Sequence, residues 1–217
     1  IIGFMMNIIS QATASYQRIS DILEADEIAE TGTLKKEIRG DIDVKNVTVT
    51  YDEKSALEHV SFNIKARTKT AIIGPTAAGK SQLLYLLTGL LVPTTGVIEY
   101  DNEPIASYDS EMLHRQIGFV FQDSIMFNLS IRENIAFSDT ATDQSLEKAI
   151  ETAELKDFLS TLPDGLNTIV SERGSTLSGG QKQRIMLARA LALDPKVLLL
   201  DDFTARVDGK TEQRILA

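Results

Sequence analysis

The chain has 217 residues, with 22 Lys and Arg against 31 Asp and Glu for a net charge of −9. It is 43% hydrophobic and 24% charged, a globular composition that argues against wholesale disorder, and its acidic balance lacks the clustered cations that nucleic acid demands. There is no cysteine and there are two histidines, which excludes disulfide scaffolds, thiol catalysis, Cys-based zinc sites and most His-ligated metal hydrolases.

The opening IIGFMMNIIS falls short of the roughly 20 apolar residues that cross a bilayer. It also lacks the basic region and cleavage site of a signal peptide. Ile1, Met5, Ile8, Ala12, Ile19, Ile22 and Leu23 recur at helical spacing. They read either as an amphipathic packing helix or as the cytoplasmic end of a membrane helix. With a start at Ile1 and an uncapped KTEQRILA stopping at Ala217, the sequence reads as a piece of a longer protein.

Residues 25–39 read as a polar linker. DIDVKNVTVTYDE and ALEHVSFNIKA then predict two alternating strands on a polar turn. KTAIIGP predicts a short buried strand, GKSQLLYLLTGLL a helix, and GVIEYDN and IGFVFQ two further strands. Residues from about 130 to 193 are expected to be largely helical, with Asp143, Glu147 and Glu151 on a solvated face. KVLLLDD closes as a continuous apolar strand. Strand–helix alternation with unalternated apolar strands predicts an α/β fold, its mostly parallel sheet covered on both faces. The opening pair adds an antiparallel element.

Two sites follow from the residues themselves. Gly74-Pro75-Thr76-Ala77-Ala78-Gly79-Lys80-Ser81 fits G-x-x-x-x-G-K-[ST] between an expected strand and an expected helix. Backbone N–H groups at such a turn point inward at phosphate oxygens. Lys80 would neutralise the β and γ phosphates, and the Ser81 hydroxyl would reach Mg²⁺. Its companion is Val197-Leu198-Leu199-Leu200-Asp201-Asp202, an apolar strand delivering two carboxylates at its C-terminal edge. Asp201 would hold Mg²⁺, and Asp202 would face the attacking water as base.

Leu177-Ser178-Gly179-Gly180-Gln181, followed by KQRIMLARAL, resembles the signature motif of ABC ATPases. A Ser hydroxyl and exposed glycine N–H groups at a helix start suit an anion. The resemblance extends from about Asp41 to Ala217 with its motifs in the family's order. It assigns Gln122 in FVFQDS to the glutamine loop, which contacts Mg²⁺ and senses the γ-phosphate, and Asp208 in TARVDGK to the loop that crosses to a partner subunit. Tyr51 matches the aromatic that stacks on adenine, although a strand end also favours an aromatic there. The resemblance implies a P-loop NTPase core with a mostly parallel sheet, an antiparallel β subdomain and an α-helical signature subdomain. ATP and Mg²⁺ are the implied ligands, with Gln82 joining Gly74 to Ser81 in the ATP-binding set.

SIMFNLSIRENIAF and SERGSTLSGGQ are similar to exporter-type members, in which membrane and ATPase regions share one chain. Glu172 and Arg173 match the loop that touches the membrane region. ATASYQRISDILE resembles the end of the last membrane helix, so residues 1–24 are expected as that end, 25–39 as the linker and 40–217 as the ATP-binding domain. The resemblance further implies a head-to-tail dimer, homo- or heterodimeric, on the cytoplasmic face of the inner membrane. No nucleic-acid partner is implied; a soluble ABC ATPase of DNA repair or translation would need a basic surface.

Three positions depart from the family pattern. Asp202 stands where Glu is usual, which resembles the weakened half of heterodimeric exporters and favours a heterodimer. A regulatory half with little turnover is the alternative. Ala77 stands where Gly is usual, and is expected to stiffen or strain the loop. The switch histidine of the family would follow the Asp208 region, beyond Ala217, and His59 and His114 are expected to be structural.

Overall fold

A computed structural model describes residues 2–23, 32–52, 54–138, 141–171 and 174–216. The chain divides into two compact units, Ile1–Thr31 and Gly32–Ala217. The first holds helix α1 (Ile2–Leu23), where the apolar spacing predicts one. Among the described residues, no helix is long and apolar enough to cross a membrane.

The second unit opens on an antiparallel sheet of β1 (Ile42–Tyr51), β2 (Lys54–Ile64), β3 (Thr95–Tyr100) and β4 (Glu103–Pro104), in the order β2-β1-β3-β4. The alternating sequences do form the hairpin expected of them. Ile42, Val44, Val47 and Val49 of β1 all face the core, although Val44 and Val47 are three residues apart. A bulge reconciles this: the register slips between Val44 and Val47, and Asn46 takes a left-handed φ of 50°. Helix α2 (Lys80–Thr88) packs Leu83, Leu84, Leu86 and Leu87 into the same core and ends on Gly89 at φ 79°. Tyr100, fully buried in β3, donates its hydroxyl to Leu87 O at 2.7 Å, and burial holds that phenol well above its usual pKa.

Helix α3 (Ser110–His114), N-capped by Asp109, leads to β5 (Ile117–Val120), which pairs in parallel with β6 (Val197–Leu200). Between them lie α4 (Ile131–Ile135), α5 (Asp143–Thr152), α6 (Lys156–Ser160) and α7 (Gly179–Leu191), around a second core that includes Ile131, Ile135, Leu146, Ile185 and Leu187. Asp143, Glu147 and Glu151 are exposed, as expected. Helix α8 (Gly209–Leu216) follows β6. Arg189 locks α7 to the segment before it: its guanidinium donates to Asn134 O at 2.6 Å and lies over the Phe127 and Phe137 rings. Burial lowers its pKa to about 10.

The mostly parallel sheet is the expectation that needs correction. Among the described residues, parallel pairing is confined to β5 and β6. KTAIIGP forms no strand, and Ile73 is 90% exposed. The segment is bounded by a turn, where Thr68 N donates to Lys65 O, and by Pro75, which has no N–H for a ladder. Three apolar residues in a row express a burial tendency; they do not supply a pairing neighbour.

Residues 34–39, the end of the expected linker, are bonded into the second unit. Leu34 pairs with Tyr108 in an isolated parallel bridge. Ile38 N donates to Gln116 Oε1 at 2.8 Å, and the buried Asp101 carboxylate accepts from the Arg39 and Asp41 amides. Gly32 lies so close to Ser107 that a Cβ there would sit 2.1 Å from its carbonyl.

Candidate active site

The loop before α2 is fastened to the antiparallel hairpin. Gly79 is buried at φ 82°, and a Cβ on it would meet Ala56 O at 2.6 Å and Leu57 Cδ2 at 2.7 Å. Glycine is therefore required there by both conformation and space. Lys80, the first residue of α2, turns its ammonium back onto the loop, donating to Gly74 O at 3.0 Å and Pro75 O at 2.8 Å. An ammonium has three N–H donors, so one is left for an incoming anion. Ser81 and Gln82 follow on the first turn of α2, partly exposed.

Ala77 adopts φ 63°. A left-handed alanine costs about 1–2 kcal/mol relative to glycine, offset in part by the greater unfolded-state entropy of glycine. Ala77→Gly is expected to stabilise the protein by about 0.5–1 kcal/mol and to raise its melting temperature by about 2 °C. Thermal unfolding followed by circular dichroism checks this; an unchanged or lower midpoint contradicts the strain.

Tyr51 ends β1 with a ring that is 47% exposed. Val49 lies opposite Leu57, the residue that touches Gly79, and Tyr51 is two residues further along, about 7 Å at strand rise.

At the other edge, the trio Tyr85, Phe119 and Phe121 joins α2 to β5, with centroid separations of 5.7 Å from Tyr85 to Phe119 and 4.3 Å from Phe119 to Phe121. This fixes the start of the next loop, on which Gln122 is exposed. Asp201 N donates to Val120 O at 2.9 Å, carrying the parallel pairing one step past β6. Residues 80 positions apart then meet: Gln122 Nε2 donates to Asp202 Oδ2 at 3.4 Å. Asp202 is exposed, in a left-handed turn at φ 48° and ψ 33°, and buried Phe203 anchors the chain after it. Asp201 is 6% exposed, and its Oδ2 has no hydrogen-bond partner. A buried carboxylate oxygen left bare is costly, and a cation with its water shell would satisfy it. Asp201, Ser81 and Gln122, the residues expected to hold a cation, each carry a side-chain oxygen, the donor chemistry that Mg²⁺ selects.

Ser178 caps α7. Its Oγ accepts from Gln181 N at 3.2 Å while Gln181 Oε1 accepts from Ser178 N at 2.7 Å, a capping box. Gly179 and Gly180 lie under Arg206: a Cβ on Gly180 would sit 2.7 Å from Arg206 O. A cavity of about 320 Å³ is lined by Ser178, Gly180, Gln181, Arg206 and Asp208. Leu177 is partly buried just before it. Asp208 accepts from Thr211 N at 3.1 Å at the start of α8, and these bonds hold its carboxyl below the usual range. Ser178, Gly180, Gln181 and Asp208 therefore face one cavity.

Glu172 and Arg173 lie outside the described residues. His59 Nδ1 is 3.0 Å from Asn46 Oδ1 at the β1 bulge, and His114 Nε2 is 2.9 Å from Thr88 O. Both imidazoles join elements of the fold. Sequence reading missed Gln183, which is buried in α7 against the Gln122 loop, and Arg206, which roofs the two glycines. Gln183 shares a helical face with buried Met186 and Ala190, and a polar residue on that stripe was the available signal.

Comparisons with known proteins agree in kind. Residues 57–205 match the sequence profile of the ABC transporter family. The chain is 41% identical to the "Uncharacterized ABC transporter ATP-binding protein YknU" of Bacillus subtilis, over 99% of this chain and 38% of that protein. It is also 41% identical to the "Leukotoxin translocation ATP-binding protein LktB" of Mannheimia glucosida, over 95% of this chain and 30% of LktB. A solved bacterial Atm1-family ABC exporter with ATP bound superposes at TM-score 0.85 and 34% identity, covering 99% of this chain and 38% of the exporter. The chain thus spans well under half the length of these relatives. A family match over residues 57–205, with 41% identity over 99% of the chain and a mixed α/β fold like that of a solved exporter, makes the chain an ATP-binding domain of the ABC transporter family.

Proposed function

We propose that this chain binds and hydrolyses ATP as the engine of an ABC exporter, closing head to tail on a second such domain to move substrate across a membrane. The observation that carries this reading is the meeting of Gln122 and Asp202 at 3.4 Å beside the bare, buried oxygen of Asp201. Tyr51 stacks on adenine, and the backbone from Gly74 to Gln82 wraps the phosphates. Lys80 turns its remaining donor to the β- and γ-phosphate oxygens. Ser81, Gln122 and Asp201 would hold Mg²⁺, which when bound would supply charge neutralisation to the phosphates. Asp202, oriented by Gln122, takes a proton from the water that attacks the γ-phosphorus as the bond to the leaving ADP oxygen breaks. The work is positioning and charge neutralisation more than covalent chemistry, so an incomplete site loses rate steeply.

Leu177 to Gln181, with Asp208 beside them, address the nucleotide on the partner. Each domain then owns half of each site, and an isolated domain binds ATP with little turnover. Residues 1–24 form the end of the last membrane helix, residues 25–39 the linker and 40–217 the ATP-binding domain. The domain works on the cytoplasmic side of the inner membrane. The shortened Asp202 favours a heterodimer, in which this chain is the slower or regulatory half.

Head-to-tail closure has a direct test in full-length protein with any cysteine outside these 217 residues replaced, since the 217 themselves carry none. Ser178→Cys in the full-length protein, combined with a cysteine at the position matching Thr76 on its partner (Thr76→Cys where the partner is a second copy of this chain) and treated with a short bis-maleimide, is expected to give an intersubunit crosslink that ATP raises at least tenfold. Crosslinking that stays at background at saturating ATP contradicts the arrangement.

A further inference from the structure

Gln183 has no part in the chemistry above, yet it is 1% exposed and carries an amide into the second core. It sits on α7 five residues after Ser178, whose side chain caps that helix. Its Nε2 donates to the backbone carbonyl of Gln122 at 3.5 Å, and its Oε1 has no partner. Burying an amide on a single long bond is unfavourable where a leucine or methionine would pack freely. Ser124 Oγ, two residues beyond Gln122, is likewise buried without a partner.

Gln122 is therefore held at both ends. Its side chain reaches Asp202, and its carbonyl is tied to the helix that begins at Ser178. Moving α7 relative to β5 lengthens or shortens the carbonyl bond and carries the Gln122 side chain with it. The stretched bond and the two bare polar groups mark a contact with room to tighten.

We propose that Gln183 is a positioning residue for ATP hydrolysis, coupling the placement of Gln122 to that of the Ser178-capped helix on the same subunit. The proposal rests on the reading of Gln122 and Asp202 given above. Through this tie, an anion met by the start of α7 at one nucleotide site is felt by the Gln122 side chain at the other, as a coupling between two sites of one subunit.

The test compares full-length protein in lipid with Gln183→Met, which preserves volume and removes the donor, and with Gln183→Asn, which keeps a donor set one methylene back. In the nucleotide-free protein, Gln183→Met is expected to speed amide hydrogen exchange across residues 121–126 about tenfold, with residues 183–191 unchanged. With Mg·ATP, kcat is expected to fall about tenfold, the KM for ATP to stay within twofold, and the Mg²⁺ concentration for half-maximal rate to rise severalfold. Gln183→Asn should lie between parent and Gln183→Met on each measure. A purely structural role would raise exchange along α7 and lower kcat with the folded fraction, leaving the Mg²⁺ dependence in place, and that result overturns the proposal. Unchanged exchange at 121–126 overturns it as well. A parent protein without Lys80-dependent turnover, in which Asp202→Glu restores none, would overturn the hydrolytic reading instead, while the exchange measurement still decides the tie.

Discussion

Lys80→Ala is expected to lower Mg·ATP hydrolysis by the full-length protein in lipid by roughly 10³-fold, at or near background. Removing a single preorganised donor from a site of developing charge costs about 10²–10³-fold. Lys80 supplies a full positive charge as well as a donor, which places it at the upper end. The geometry also explains why the fold should tolerate the change. Lys80 is the first residue of α2, where alanine is the best helix former, and its two bonds go to carbonyls of an exposed loop that water can reach. The melting temperature should therefore stay within about 2 °C of the parent, separating lost chemistry from lost structure. Phosphate release by parent and variant, measured beside a thermal scan, decides it. Turnover above one-tenth of the parent would mean that Lys80 serves only to close its own loop.

What could be read from the sequence was what is local in it. The G-x-x-x-x-G-K-[ST] spacing, the hairpin alternation and the Ser178-Gly179-Gly180-Gln181 helix start each occupy a few neighbouring residues, and their physics acts over that range. The hairpin, α2 and the capping box stand where those patterns put them. The strand expected at KTAIIGP does not form, because a strand is a relation between two segments and an apolar run specifies one of them. Asp201 and Asp202 were legible as a pair of carboxylates at a strand end. That Asp201 is buried with a bare oxygen while Asp202 faces out on a left-handed turn was not, since alternation past a strand end depends on how Phe203 anchors. The meeting of Gln122 with Asp202 spans 80 positions, and only the parallel register of β5 on β6 makes it. Family resemblance supplied the role of Gln122, but nothing in the motif pointed to Gln183 behind it.

Asp202→Glu is expected to raise turnover by up to about 10²-fold. The side chain at 202 is short for the reach required of it, since the aspartate carboxylate meets Gln122 at 3.4 Å, beyond the usual range for an amide donor to a carboxylate. One added methylene advances the carboxylate by about 1 Å, and displacement on that scale is worth about 10² in rate where a base must reach a particular water. The gain comes at some cost to the fold. Asp202 occupies the left-handed region, which aspartate tolerates better than glutamate, so the variant should lose about 0.5–1 kcal/mol of stability while gaining rate. A faster and less stable variant is the combined signature, and a general tightening of the protein would not produce it. The same measurement separates the two readings of the parent. If the parent is nearly silent and Asp202→Glu restores robust, Lys80-dependent hydrolysis, this chain is the slow half and its partner carries most of the turnover. If the parent is already fast and Asp202→Glu changes the rate less than about threefold, the Gln122–Asp202 pair already reaches the water, and two copies of this chain suffice.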